Sequence, residues 1–235
     1  MPSSPPISSL PIPSPLRRFA FATFATMVAG FVDAVGYAHL GGLFLSFMSG
    51  NSTRLGIQIA EADRAHAALT ACVIGGFVTG AFAGTLVSDR AGEWKLTAIL
   101  CAEIVLFALA WALVASGVGF AALLPVALAM GMQNSVHQLV AGADIGKSFV
   151  TGALFGLGQS LARFVSGRES AGEATAYAAS WGSFVAGAAI GTLVLAATGL
   201  SAAVGGACLL LVALAALAYA FHGHLLHAVG ETGGD

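Results

Sequence analysis

Between residues 18 and 221 the chain alternates long apolar blocks with short polar breaks. Eight blocks separate cleanly: 18–40, 43–60, 65–88, 94–117, 119–141, 147–165, 175–198 and 202–221. A helix rises about 1.5 Å per residue, and about 20 apolar residues cross the hydrocarbon core of a bilayer. The pattern therefore predicts an all-α, polytopic membrane protein with a single transmembrane domain over 18–221. Residues 1–17, which hold six of the seven prolines, are expected to form a disordered tail. Residues 222–235 are expected to form a flexible one, with His222, His224 and His227 in a frayed terminus rather than a metal site.

The blocks repeat. FMSGNSTRLG (47–56) matches FVTGALFGLG (149–158), and GFVTGAFAGTL (76–86) matches SFVAGAAIGTL (183–193) at seven of eleven positions. GFVDAV (30–35) pairs more loosely with GMQNSV (131–136). Three matches in one order predict a duplicated four-block unit, with halves of about 18–117 and 119–221, a device common in transporter folds.

How the halves relate depends on blocks 43–60 and 147–165. If both cross, there are eight spans and the halves are parallel. If both are broken or re-entrant, there are six spans and the halves are inverted. With the N-terminus cytoplasmic, the six-span arrangement puts Arg17, Arg18, Arg90, Lys95, Lys147, Arg163 and Arg168 inside and Arg64 outside. The positive-inside rule favours that arrangement. So does SGNSTR (49–54), because irregular polar backbone at membrane depth must be buried in protein or line water.

Composition agrees with this reading: 57% of residues are hydrophobic and only 9% charged, against about 25% charged in soluble domains. The net charge of −2 and the absence of a basic stripe exclude a nucleic-acid partner. Cys72, Cys101 and Cys208 stand in separate blocks, with neither disulfide nor zinc spacing. No catalytic motif is present, so the chain is not expected to be an enzyme or to carry a cofactor or metal.

Charge is expensive in hydrocarbon and marks function there by default. Asp33 lies past the middle of its block, as a proton or cation relay or as a structural carboxyl beside a helix break. Ser49, Gly50, Asn51 and Thr53 suit such a break, since glycine accepts unusual dihedrals and the others can cap a new helix end. Thr151 and Gly152 supply the matching break in the second half. Arg54 and Glu103 call for partners, either in a structural ion pair or, for Arg54, in gating or anion binding. Gln133, Asn134 and His137 add hydrogen-bonding capacity, Asn134 standing where the first half has Asp33. Gly76, Gly80 and Gly84, with Gly187 and Gly191, form rows that let helices approach closely, within the chain or across a homo-oligomer.

The tandem patterns GFVDAVGY…LSFMSGNSTRLG and MGMQNSV…FVTGALFGLG resemble the YoaK-type family of small bacterial inner-membrane proteins, over roughly residues 20–220. The resemblance implies a bacterial inner membrane; the family is a domain of unknown function and implies no substrate. The expected function is a secondary transporter or channel for a small polar solute or ion, coupled to protons or cations through Asp33. The alternative is a non-transporting membrane sensor or assembly partner.

Overall fold

The structure is a computed structural model, and it describes residues 15–135, 139–140, 143–144, 150–168 and 170–220. The terminal segments 1–14 and 221–235, with the three C-terminal histidines, and His137 and Lys147 lie outside the described residues.

The described residues are all-helical apart from turns and a two-rung antiparallel pairing of Leu139–Val140 with Ala143–Asp144. The helices are α1 (Pro15–His39), α2 (Met48–Ala60), α3 (Arg64–Ala91), α4 (Lys95–Ala115), α5 (Leu124–Gln133), α6 (Val150–Val165) and α7 (Gly172–Ala220). A 3-10 turn, Phe120–Leu123, leads into α5. Helix α1 starts at Pro15, so the last residues of the expected tail are helical.

Among the described residues, four helices are long and apolar enough to cross a membrane: α1, α3, α4 and α7. At 49 residues α7 would measure roughly 73 Å, far more than a bilayer core. It is broken at Gly199, whose φ of 80° and ψ of 174° are not helical, into arms 172–198 and 200–220. Gly92 ends α3 in the same way, with φ at 52°. At both places the backbone freedom of glycine turns one long helix into the next, and they lie 107 residues apart.

Packing fixes the directions. One end of the bundle gathers Phe21, Leu96, Leu100, Met132 and Leu214, from the start of α1 and α4 and the end of α5 and α7. Toward the other end, a small apolar cavity gathers Phe31, Val35, Phe107, Leu123, Val126 and Ala203. Helices α1 and α4 thus run one way, α5 and the second arm of α7 the other. The first arm of α7 runs parallel to α1, with Gly187 against Met27 and Gly191 against Phe31. Helix α3 runs parallel to α5, with Gly80 against Leu128 and Gly84 against Met132. Six helical segments therefore alternate in direction along the sequence: α1, α3, α4, α5 and the two arms of α7.

The two parallel crossings correspond position by position. Gly30 leaves no room for a Cβ against the carbonyl of Phe184, and Gly131 none against that of Phe77. Gly131 follows Gly30 by 101 residues, and Phe184 follows Phe77 by 107. Met27 and Leu128, which face Gly187 and Gly80, are also 101 apart. The glycine rows thus pack within the chain, where missing side chains let backbones touch.

The exterior is apolar: Val78, Phe82, Val105, Phe155, Leu193 and Leu209 are all exposed. Such a surface would aggregate in water but suits lipid. Trp94 meets Tyr219 at one end of α4, and Trp111 donates to the Ser201 hydroxyl near the other. About 26 Å of helix separates the two tryptophans, close to the spacing of the two aromatic belts of a bilayer.

Candidate functional site

Helix α1 ends at His39, and the chain then doubles back. Gly41 and Gly42 turn it, both at positive φ, and residues 43–46 descend beside α1 until Leu45 lies against Gly36. Asp33 anchors the descent. Its Oδ1 accepts the amides of Leu45 at 2.8 Å and Ser46 at 2.6 Å, and its Oδ2 accepts the Ser46 hydroxyl at 2.7 Å. Helix α2 starts from this buried point and climbs back. Its Gln58 accepts the Thr70 hydroxyl of α3 at 2.7 Å, and residues 61–63 turn into α3. At 13 residues, about 20 Å, α2 is too short to cross. The chain therefore enters and leaves at one end, as a re-entrant loop and half-helix.

The sequence dictates this local shape. Phe47, the residue before α2, offers no side-chain cap for its orphan amides. Asp33 supplies the missing negative charge from another helix, at the end where the helix dipole favours an anion. Asn51, with no exposure at all, ties the two strands of the loop together. Its Oδ1 accepts the Phe44 amide at 3.0 Å, and its Nδ2 donates to the Phe44 carbonyl at 2.7 Å. Apolar side chains at 33 or 51 would leave those buried backbone groups unmet, at about 1–3 kcal/mol each.

Arg54 sits at the top of the loop. Its Nη2 donates to the Gly41 carbonyl at 2.7 Å, just beyond the C-terminus of α1. Its guanidinium lies over Gly42, where a Cβ would come within 2.6 Å of Nη1. Its Nε is buried without a hydrogen-bond partner. Arg54 pairs with neither Asp33 nor Glu103, the two carboxylates that the sequence offers within the apolar blocks.

The remaining expected residues fall into other places. Ser49 and Thr53 lie on the exposed face of α2, with the Thr53 hydroxyl donating to the Ser49 carbonyl, and Gly50 packs under Phe47. Glu103 and Gln133 meet in the middle of the bundle, the amide donating to the carboxylate at 3.1 Å, and both are buried. Asn134 turns back to the Met130 carbonyl of its own helix. Thr151 and Gly152 are exposed in the first turn of α6. The expected residues thus form two groups: Asp33, Asn51 and Arg54 around one loop, and Glu103 with Gln133 at the centre.

Ser46, Phe44 and Thr70 were not singled out from sequence. Ser46 carries a signal in retrospect, as a lone hydroxyl among apolar residues close before the SGNSTR run. The Phe44 contacts use only backbone and leave no trace in residue type. Helix α6 is held to the first arm of α7 as α2 is held to α3: Gly156 lies under the Tyr177 ring, and the Ser160 hydroxyl donates to Glu173 at 3.3 Å. Among the described residues, no three His, Cys, Asp or Glu side chains converge to hold a metal.

The relatives of the chain are similar membrane proteins. It is 30% identical over 148 residues to UPF0700 transmembrane protein RA0705 of Rhizobium meliloti (strain 1021), a match spanning 63% of this chain and 63% of that protein. It is 27% identical over 158 residues to UPF0700 transmembrane protein YoaK of Bacillus subtilis (strain 168), spanning 64% of this chain and 68% of that one. No solved structure matches. The family model described as "Protein of unknown function (DUF1275)" matches residues 21–217, nearly all of the helical bundle, and the chain belongs to that family of transmembrane proteins.

Proposed function

We propose that this protein is a secondary transporter or channel for a small polar solute in a bacterial inner membrane. In this reading its N-terminus is cytoplasmic, it catalyses no reaction, and its two halves are inverted copies of one unit. The observation that carries the reading is the re-entrant unit of residues 40–60. It brings a polar loop and a half-helix N-terminus into an apolar bundle, where irregular backbone is otherwise excluded. Transporter folds place solute and ion sites at such discontinuous helices. The matched glycine crossings support inversion, and the second short helix, α6, supplies the counterpart of α2.

Asp33 is the coupling group in this reading. Its carboxylate holds the loop through three donors, and a proton or cation arriving there competes with them and loosens the loop. Glu103 and Gln133 provide a second polar point in the bundle.

Reconstitution into proteoliposomes tests the proposal. Solute-dependent flux that responds to a proton gradient in the native protein, and loses that response in Asp33→Asn, is the expected result. No flux across a panel of small polar solutes and ions overturns it. That outcome favours a sensor or assembly role, with which the internal engagement of Asp33 and Asn51 also agrees.

A further inference from the structure

We infer that Arg54 binds a phosphate-class oxyanion at the membrane surface where α1 ends. The inference concerns binding alone and does not depend on the transport reading.

Three observations meet at this residue. First, the guanidinium uses one donor, Nη2, on the Gly41 carbonyl. That bond accounts for its position at the C-terminus of α1 but for one of five N–H groups. Second, Arg54 forms an ion pair with no described residue, so its charge is uncompensated among them, and while Nε is enclosed by the protein, Nη1, which has no hydrogen-bond partner either, is not. Third, the backbone beneath it is stripped of side chains. Gly42 admits the guanidinium where a Cβ would collide with it, and Gly41 is exposed, with nothing within 4 Å of where a Cβ would stand. The planar fork is thus held through Nη2 by Gly41, and its Nη1 end remains open to a ligand.

A guanidinium is built to meet two oxygens of a phosphate or carboxylate side by side. Depth supplies one source. Arg54 is level with residues 41–42, just past the end of the candidate span Phe19–His39, where lipid phosphates lie. The same fork would also take free phosphate at the mouth of the re-entrant loop. The two ligands share one chemistry, and only experiment separates them.

Phenylglyoxal, which modifies arginine side chains, reads this site in the native protein. Arg64 lies at the start of α3, is exposed, and serves as the internal reference. The reaction rate at each arginine is followed by peptide mass spectrometry, in dodecyl maltoside micelles, which carry no phosphate, with and without inorganic phosphate, and in phosphatidylglycerol vesicles. At ten times Kd, a bound ligand slows modification of its site about tenfold. Slowing at Arg54 but not Arg64 in phosphatidylglycerol alone assigns a lipid headgroup. Slowing by inorganic phosphate in the micelles assigns a free oxyanion. Equal rates at Arg54 in all three conditions overturn the inference. Arg54→Lys, which keeps the charge and the reach to Gly41 but not the fork, is expected to lose most of the retained phosphatidylglycerol or phosphate in native mass spectrometry. Undiminished retention in that variant also contradicts the inference.

Discussion

Asp33 and Ser46, thirteen residues apart, are joined by both carboxylate oxygens: Oδ1 takes the Ser46 amide and Oδ2 its hydroxyl. One side chain of a crossing helix thus closes the re-entrant loop and caps the half-helix that follows. Asp33→Ala leaves two buried amides and a hydroxyl without an acceptor, and is expected to lower stability by about 2–4 kcal/mol. Ser46→Ala removes one bond without leaving a buried donor, and is expected to cost about 1 kcal/mol. Denaturation in detergent measures both, and equal losses would contradict the anchoring role.

Asn51 closes the same loop from α2. Asn51→Ala is expected to cost about 2 kcal/mol, because both backbone groups of Phe44 lose their partner. Thr53→Ala, on the exposed face of the same helix, is expected to change stability by less than about 0.5 kcal/mol. The same melts compare them.

The glycine crossings give a paired prediction. Gly30→Ala and Gly131→Ala each drive a Cβ into a neighbouring carbonyl, of Phe184 and Phe77 respectively, and each is expected to cost about 1–3 kcal/mol. Gly75→Ala and Gly182→Ala, where nothing lies within 4 Å of the new Cβ, are expected to be neutral or to stabilise by up to about 1 kcal/mol. Similar losses at Gly30 and Gly131 follow from the matched geometry; a loss at only one contradicts it.

Asp63 caps α3 by accepting the His66 amide at 3.2 Å and pairs with the His66 ring at 2.7 Å. Chiefly through that amide, and then through the ring, its carboxyl is held below the ordinary carboxylate range. A depressed folded value means that the contribution is complete above the unfolded value and is lost as pH falls through the folded one. Protection of the first-turn amides of α3, taken relative to their intrinsic exchange rate at each pH, is expected to fall over that acid range in the native protein. Asp63→Asn is expected to remove the pH step; a step of unchanged size contradicts this assignment.

Much of the fold was legible because hydropathy sees length and continuity. The eight apolar blocks correspond to α1, the loop with α2, α3, α4, α5, α6 and the two arms of α7. The break at 199 fell between two blocks, and α5 is shorter than its block, ending at Gln133 where polar residues begin. At the site, sequence singled out Asp33, Asn51 and Arg54 by their cost in hydrocarbon. It did not reveal what each one holds. Asp33 and Asn51 act on backbone groups of residues 44–46, and a backbone amide looks the same in every sequence. The central Glu103–Gln133 contact joins residues thirty apart on different helices, a pairing that only packing creates.

The central claim is that α2 and α6 return to the side they left while the other six helical segments alternate. Single cysteines at Ala62→Cys, between α2 and α3, and Ser166→Cys, after α6, test it in a background without Cys72, Cys101 and Cys208. Both positions lie in turns joining helices, and a membrane-impermeant thiol reagent on intact cells, compared with lysed cells, reports the side of each. If α2 and α6 do not cross, the two cysteines face opposite sides of the membrane, with 62 reactive from outside and 166 only after lysis. If both helices cross, the two cysteines share one side, and that result would contradict the account.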